Sequence, residues 1–152
     1  SNRPKKWKNI KQKVTDKLKD YPKRLKHVLG VYETSVKLAK IHNLDVDKIS
    51  IAALYHDYAK YDEIEDQINS LELDIIKAYV DTPVIYHAFA AAKALEKDYN
   101  IHDQDVLNAI RYHVWGRIGM SDIEKIKNCG WYSYLFMFHC RLYYLRCDKL
   151  YC

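Results

Sequence analysis

The chain has four glycines and three prolines in 152 residues, too few turn-forming residues to connect a many-stranded sheet. Lysine, leucine, alanine, isoleucine and glutamate are abundant instead, which favours helices. Apolar residues at 49% and charged residues at 30% are the proportions of a folded globule, and the length suits one domain with a core of its own. The expected fold class is therefore all-α, a single helical bundle.

Helical periodicity can be followed along most of the chain. Trp7, Ile10, Val14 and Leu18 share one face of a first segment. After Pro22, residues 23–42 carry Leu25, Val28, Val31, Val36, Leu38 and Ile41. Asp45 or Asp47 opens a helix over about 47–57, and residues 62–79 form one acidic amphipathic segment with Ile64, Ile68, Leu71, Ile75 and Ile76. Thr82 before Pro83 reads as an N-cap and first-turn pair for a helix to about Tyr99. Asp103 starts another helix to about His113, and Ser121 with Glu124 has the spacing of a capping box. Residues 127–152 differ in composition, with eight aromatics, all four cysteines and a single acid, Asp148. The chain thus divides into a basic amphipathic helix or linker at 1–21, a helical domain at 22–126 and an atypical tail at 127–152.

The net charge of +5 is concentrated at the start, where Arg3, Lys5, Lys6, Lys8, Lys11, Lys13, Lys17 and Lys19 meet only Asp16 and Asp20. Nucleic acid is one partner such a segment can take. An amphipathic helix with a solvated basic face is the plainer reading, so no nucleic-acid partner is expected. There is no run of 18 apolar residues and no apolar stretch after the basic start, so neither a membrane span nor a secretory signal is expected, and the location is read as cytoplasmic. A chain that begins at Ser1 reads as a fragment or a processed product. Cys129, Cys140, Cys147 and Cys152 lack zinc-knuckle spacing and are read as reduced thiols.

Four histidines fall where their helices are apolar. His27 lines up with Val31, Thr34 and Leu38; His56 follows Ile49, Ala52 and Ala53; His87 sits with Val84, Ala91 and Leu95; His113 follows Val106, Ala109 and Ile110. One histidine on such a face is ordinarily a core residue whose ring nitrogens find a carbonyl or hydroxyl. Four together, with Asp57 beside His56, make a set suited to one or two divalent metals, because a bundle turns the inward residues of separate helices toward a common centre. A buried carboxylate is costly alone but favourable when it binds a cation. His42, His102 and His139 show no such context.

The order His27, His56-Asp57, His87, His113 resembles the HD-domain metal phosphohydrolase superfamily. Within it, "RLKHVLGVYETSVKLA", "ALYHDYAK", "VIYHAFAAAKAL" and "LNAIRYHVWGRIGMSDIEKI" are similar to the YqeK-like family of symmetrical dinucleoside tetraphosphate hydrolases, over about residues 22–126. The resemblance implies an HD-domain helical bundle that holds two irons, with manganese, cobalt or magnesium as alternatives, and hydrolyses diadenosine tetraphosphate to two ADP. Carried over position by position, His27, His56 and Asp57 would serve one metal and His87 and His113 the other, with Asp57 bridging. Water would be the nucleophile. Lys60 is the first candidate to neutralise phosphate charge, followed by Arg24, Arg111 and Arg117, with Gly116, Gly119 and Ser121 forming a loop over the phosphates. Solvated surface charge is the alternative for Arg24 and Arg111.

The resemblance breaks at one place. The family closes its metal site with an aspartate in an Ala-Asp or Val-Asp pair about 18 residues after the last histidine, where this chain has Trp131, and no acid occurs between Glu124 and Asp148. Back-translated with A/T-rich codons and relieved of one base after Lys127, the segment reads K-I-K-I-V-D-G-I-H-I-Y-L. Residues from about 128 onward are accordingly read as a frameshifted tail, with Asp148 reaching back as a replacement ligand as the alternative. The activity expected is metal-dependent hydrolysis of a dinucleoside polyphosphate. The competing readings are another HD-type nucleotide phosphohydrolase or phosphodiesterase, and an impaired HD module. Fusion to, or association with, a nucleotide-metabolism domain and a homodimer are both compatible with the chain.

Overall fold

The computed structural model describes residues 6–135, with the side chains of Lys6, Cys129 and residues 131–135 outside the description. Among the described residues the fold is all helical, without a strand. The helices are α1 (Lys6–Leu18), α2 (Pro22–Ile41), α3 (Val46–Tyr55), α4 (Ile64–Asn69), α5 (Leu73–Ala78), α6 (Tyr86–Tyr99), α7 (Gln104–Arg111) and α8 (Asp122–Leu135). Trp131 as a side chain, His139, Asp148, three of the cysteines and the frameshift reading beyond position 135 lie outside the described residues.

Several helix starts follow from side-chain caps. Asp45 accepts from the Asp47 and Lys48 amides at 2.9 and 3.1 Å, and Asp103 accepts from those of Asp105 and Val106 at 3.0 and 3.2 Å. The capping box closes reciprocally: the Glu124 amide donates to Ser121 Oγ at 3.3 Å and the Ser121 amide to Glu124 Oε1 at 3.2 Å. Thr82 makes no such bond, and Pro83–Ile85 form a single 3-10 turn before α6.

The acidic segment expected as one helix over 62–79 is two. Ser70 Oγ donates to the Gln67 carbonyl at 2.8 Å and the Leu71 amide to that of Ile68 at 3.0 Å, which closes α4. Asn and Ser side chains compete with the helical backbone in this way, and Glu72 follows in an extended conformation before α5.

Helix α2 is the spine. It packs against α1, α3 and α8, while α7 touches α3, α6 and α8, so α2, α3, α6, α7 and α8 close around one interior. Ile10, Val14 and Leu18 of α1 enter the same core as Ile49, Leu54, Leu95, Leu107, Ile110 and Ile126. Each such side chain contributes roughly 1.5–3 kcal/mol of burial. The basic face of α1 points outward and is partly neutralised by the protein itself, through Lys13–Asp98 and Lys17–Asp62 contacts of 2.6 Å each. Among the described residues no helix is long and apolar enough to cross a membrane.

Candidate metal centre

Three of the four histidines sit at helix ends rather than mid-face. His56 follows α3, His113 stands just beyond α7, and His87 is the second residue of α6. Each is held the same way: Nδ1 of His56 donates to the Ala53 carbonyl at 2.7 Å, that of His87 to Val84 at 2.5 Å and that of His113 to Ile110 at 2.8 Å. A carbonyl only accepts, so Nδ1 carries the proton and the Nε2 lone pair faces the interior. His27 comes from the middle of α2.

The four Nε2 atoms converge on Asp57, which is 2% exposed. Oδ1 lies 3.4 Å from Nε2 of both His87 and His113. Oδ2 lies 3.3 Å from Nε2 of His56 and 3.8 Å from that of His27. The ligand atoms of His27, His56 and Asp57, and those of Asp57, His87 and His113, form two triads, each within 4.8 Å of one another. The structure therefore brings together the residues that the sequence pattern singled out.

The electrostatics suit a cation. Burial first, then the charges of His56, Arg24 and Lys127, lower His27 to about 4. Burial also lowers His56 and takes His113 well below its usual value, with the charge of Lys127 acting in the same direction. These rings are neutral ligands at pH 7. Burial alone would raise Asp57, yet the carboxyl is held well below the usual carboxylate range, and the Arg24 guanidinium donates to Oδ2 at 3.0 Å. An ionised oxygen among lone pairs fits a metal ion: Nε2 of His87 and Nε2 of His113 are 3.3 Å apart, and two lone pairs facing each other at that distance call for a cation or proton between them.

The expected phosphate-binding residues divide. Arg24 Nη1 donates to Asp57 Oδ2 at 3.0 Å, inside the centre. Lys60 is one turn beyond His56, half-buried, its amide bonded to the Asp57 carbonyl at 3.0 Å, and its ammonium makes no ion pair among the described residues. Arg111 turns toward α6 and its own helix, bonding Glu96 at 3.3 Å and Gln104 and Asn108 at 3.1 Å each. Arg117 clamps Glu124 through Nε and Nη2 at 2.9 and 2.7 Å, which ties the 114–121 loop to α8. Gly116 and Gly119 in that loop have φ of 72° and 73°, a backbone that glycine adopts at little strain.

Lys127 is the residue sequence reasoning missed. It is fully buried, and its Nζ has no hydrogen-bond partner. Its charge acts on His27, His56, His113 and Asp57. Burial pushes the ammonium down to about 7, with Asp57 opposing. A signal existed in the sequence, because Lys127 falls on the same helical stripe as Ile123 and Gly130.

The family described as HD domain matches residues 24–134. The chain is 34% identical over 119 residues to a symmetrical bis(5'-nucleosyl)-tetraphosphatase of Bacillus subtilis, covering 77% of this chain and 61% of that protein. It is 40% identical over 107 residues to the protein of the same name from Halalkalibacterium halodurans, covering 68% and 56%. It thus spans less than two thirds of the length of these two relatives. A crystal structure from Clostridium acetobutylicum, described as a predicted HD superfamily hydrolase involved in NAD metabolism, superposes with a TM-score of 0.70 at 36% identity, covering 83% of this chain and 67% of that one.

Proposed function

Because the chain belongs to the HD domain family, we propose that it is a metal-dependent phosphohydrolase that cleaves dinucleoside polyphosphates symmetrically, converting diadenosine tetraphosphate to two ADP. The observation that carries this reading is the convergence of four imidazoles on the two oxygens of Asp57. The names of the relatives support the substrate class. The imidazole-rich donor set suits iron, with manganese and cobalt next; magnesium prefers oxygen ligands.

A bound ion here supplies Lewis acidity and a lowered pKa for water. The chain's own residues do the rest. The Ala53, Val84 and Ile110 carbonyls fix the tautomers and ring orientations of His56, His87 and His113, so the ligand lone pairs are preorganised. Asp57 provides the negative charge between the rings. Arg24 and Lys60 stand where charge develops on phosphoryl oxygens as a water oxygen bonds to phosphorus and the bond to the departing ADP oxygen breaks. Gly116 and Arg117 shape the loop beside His113.

The test is product analysis. Protein incubated with diadenosine tetraphosphate and ferrous or manganous ion should yield ADP alone; ATP with AMP contradicts symmetrical cleavage. Turnover of a nucleoside triphosphate or phosphodiester in place of the tetraphosphate would favour another HD-type hydrolase.

A further inference from the structure

Among the described residues the aromatic rings most open to solvent are Tyr21 at 42%, Tyr61 at 44% and Trp115 at 60% exposed. Two of these are paired. Tyr21 and Tyr61 stack face to face, with ring centroids 3.9 Å apart and planes within 7° of parallel. The backbone fixes both. Tyr21 is the N-cap of α2, its carbonyl accepting from the Leu25 amide at 2.9 Å, and Tyr61 lies in the turns after α3, between the residues whose amides bond the Asp57 and Ala59 carbonyls. Inside the protein, Phe89 and Tyr112 meet edge to face at 85°, an arrangement that suits two buried rings. A parallel pair that stands half out in water instead leaves a flat π surface to solvent.

One side chain joins this pair to the metal centre. Arg24 lies between Tyr21 and His27 on α2, and its Nη1 donates to Asp57 Oδ2 at 3.0 Å. The Tyr61 hydroxyl acts on the same guanidinium: burial opposes the Arg24 charge, and Tyr61 together with Asp57 more than offsets it, so the guanidinium is raised. From Tyr21 to His27 the helix axis advances about 9 Å, the kind of distance that separates a nucleobase from the far oxygens of its phosphate. Tyr61 also follows Lys60 directly in sequence. The molecule therefore presents a π surface, then cations, then the Asp57 centre, in the order in which a nucleotide presents its base, its sugar phosphate and its reacting phosphorus.

We propose that the stacked Tyr21–Tyr61 pair is the platform on which the adenine ring lies while its phosphate reaches Arg24 and the Asp57 centre. The proposal rests on the phosphohydrolase reading above and concerns how the base is held. Stacking requires only a π face, so this platform grips the ring without reading its hydrogen-bonding edge. Trp115, two residues beyond His113, is the rival platform, and the tyrosines take precedence because Arg24 links them to Asp57.

Calorimetric titration of the manganese-supplied full chain with AMP and with ribose 5-phosphate, which lacks only the base, decides it. AMP should bind about 5–150-fold more tightly, the range that one stacked base commands. The double variant Tyr21→Ala/Tyr61→Ala should abolish that preference by weakening AMP while leaving ribose 5-phosphate nearly unchanged. Tyr21→Phe/Tyr61→Phe keeps both rings and should keep the preference. With diadenosine tetraphosphate, the alanine variant should raise KM at nearly constant kcat, because the base is held alike in the ground and transition states.

Equal affinities for the two ligands in the unaltered chain overturn the proposal, as does an AMP preference that survives the alanine variant or that Trp115→Ala removes instead. Equal losses for both ligands in a folded alanine variant would make the tyrosines a staple between α2 and the turns after α3, and overturn it too. If circular dichroism shows that variant unfolded, Tyr21→Leu/Tyr61→Leu, which keeps apolar bulk without a π face, takes its place. An AMP preference carried by the tyrosines in a chain that does not cleave the tetraphosphate refutes the substrate reading and leaves the platform standing. Cleavage without that preference does the reverse.

Discussion

Two lysines of this chain meet aspartates in opposite surroundings. On the outer face of α1, Lys17 lies 2.6 Å from Asp62, both side chains about a third exposed. Inside the bundle, Lys127 is fully buried, without a hydrogen-bond partner, and acts on Asp57 through space. Water makes the first pair nearly indifferent to its own contact, while its exclusion makes every charge in the second neighbourhood matter. The fold places the same residue types where water screens them and where it does not.

The most severe way to break the contrast is to remove the interior anion. Asp57→Asn leaves the half-buried Arg24 and the fully buried Lys127 without a carboxylate, so the metal-free protein should lose about 3–5 kcal/mol in urea unfolding. Metal retention and tetraphosphate hydrolysis should be lost with it, read by metal analysis and product separation. His56→Ala should likewise release metal while retaining most helical circular dichroism. Retained hydrolysis in either variant sinks the proposed mechanism.

Removing the interior cation should act in the opposite direction. Lys127→Met replaces a buried, partnerless ammonium with an apolar side chain, and the metal-free protein should gain about 1–4 kcal/mol. A drop in stability would mean that Lys127 is worth more as a counter-ion to Asp57 than it costs to bury.

The pH dependence probes the same interior. His27 has a folded value of about 4 against an ordinary 6.5, so between these values the unfolded chain binds the extra proton and the folded one does not. Stability therefore falls as pH drops from 6.5 toward 4. Between pH 7 and 4.5 this group alone should remove about 2 kcal/mol. His27→Gln should flatten that part of the profile, measured by urea midpoints of metal-free protein.

What could be read in the sequence follows the same divide between local and interior physics. Asp45, Asp103 and the Ser121–Glu124 box cap helices as their spacing implies, because capping involves residues two or three apart. The four imidazoles and Asp57 were legible because helical periodicity records which face is inward. The break at Ser70 was not, since Ile64, Ile68, Ile75 and Ile76 keep an apolar stripe across it while two weak helix formers end α4. Spacing leaves Arg111 either a phosphate ligand or a solvated surface charge, and only the packing of α6 against α7 shows its guanidinium bonded to Glu96, Gln104 and Asn108. The stripe that carries Lys127 was too weak a signal for a different reason: a lysine on an apolar stripe ordinarily reaches out to solvent, and only the packing of α2, α3 and α7 against α8 encloses it.

The surface member of the comparison should give the smallest effect. In a double-mutant cycle with Lys17→Ala and Asp62→Ala, the coupling should be about 0.2–1 kcal/mol. It should shrink further at high salt, because exposed charges are screened over a few ångströms at 1 M ionic strength. Ile10, Val14 and Leu18 hold α1 to the core on its other side, so loss of the pair should leave the helix docked. A coupling above about 2 kcal/mol, or one indifferent to salt, would place Lys17 and Asp62 in a water-poor environment like that of Lys127. The basic face of α1 would then belong to the interior of some larger assembly and not to solvent.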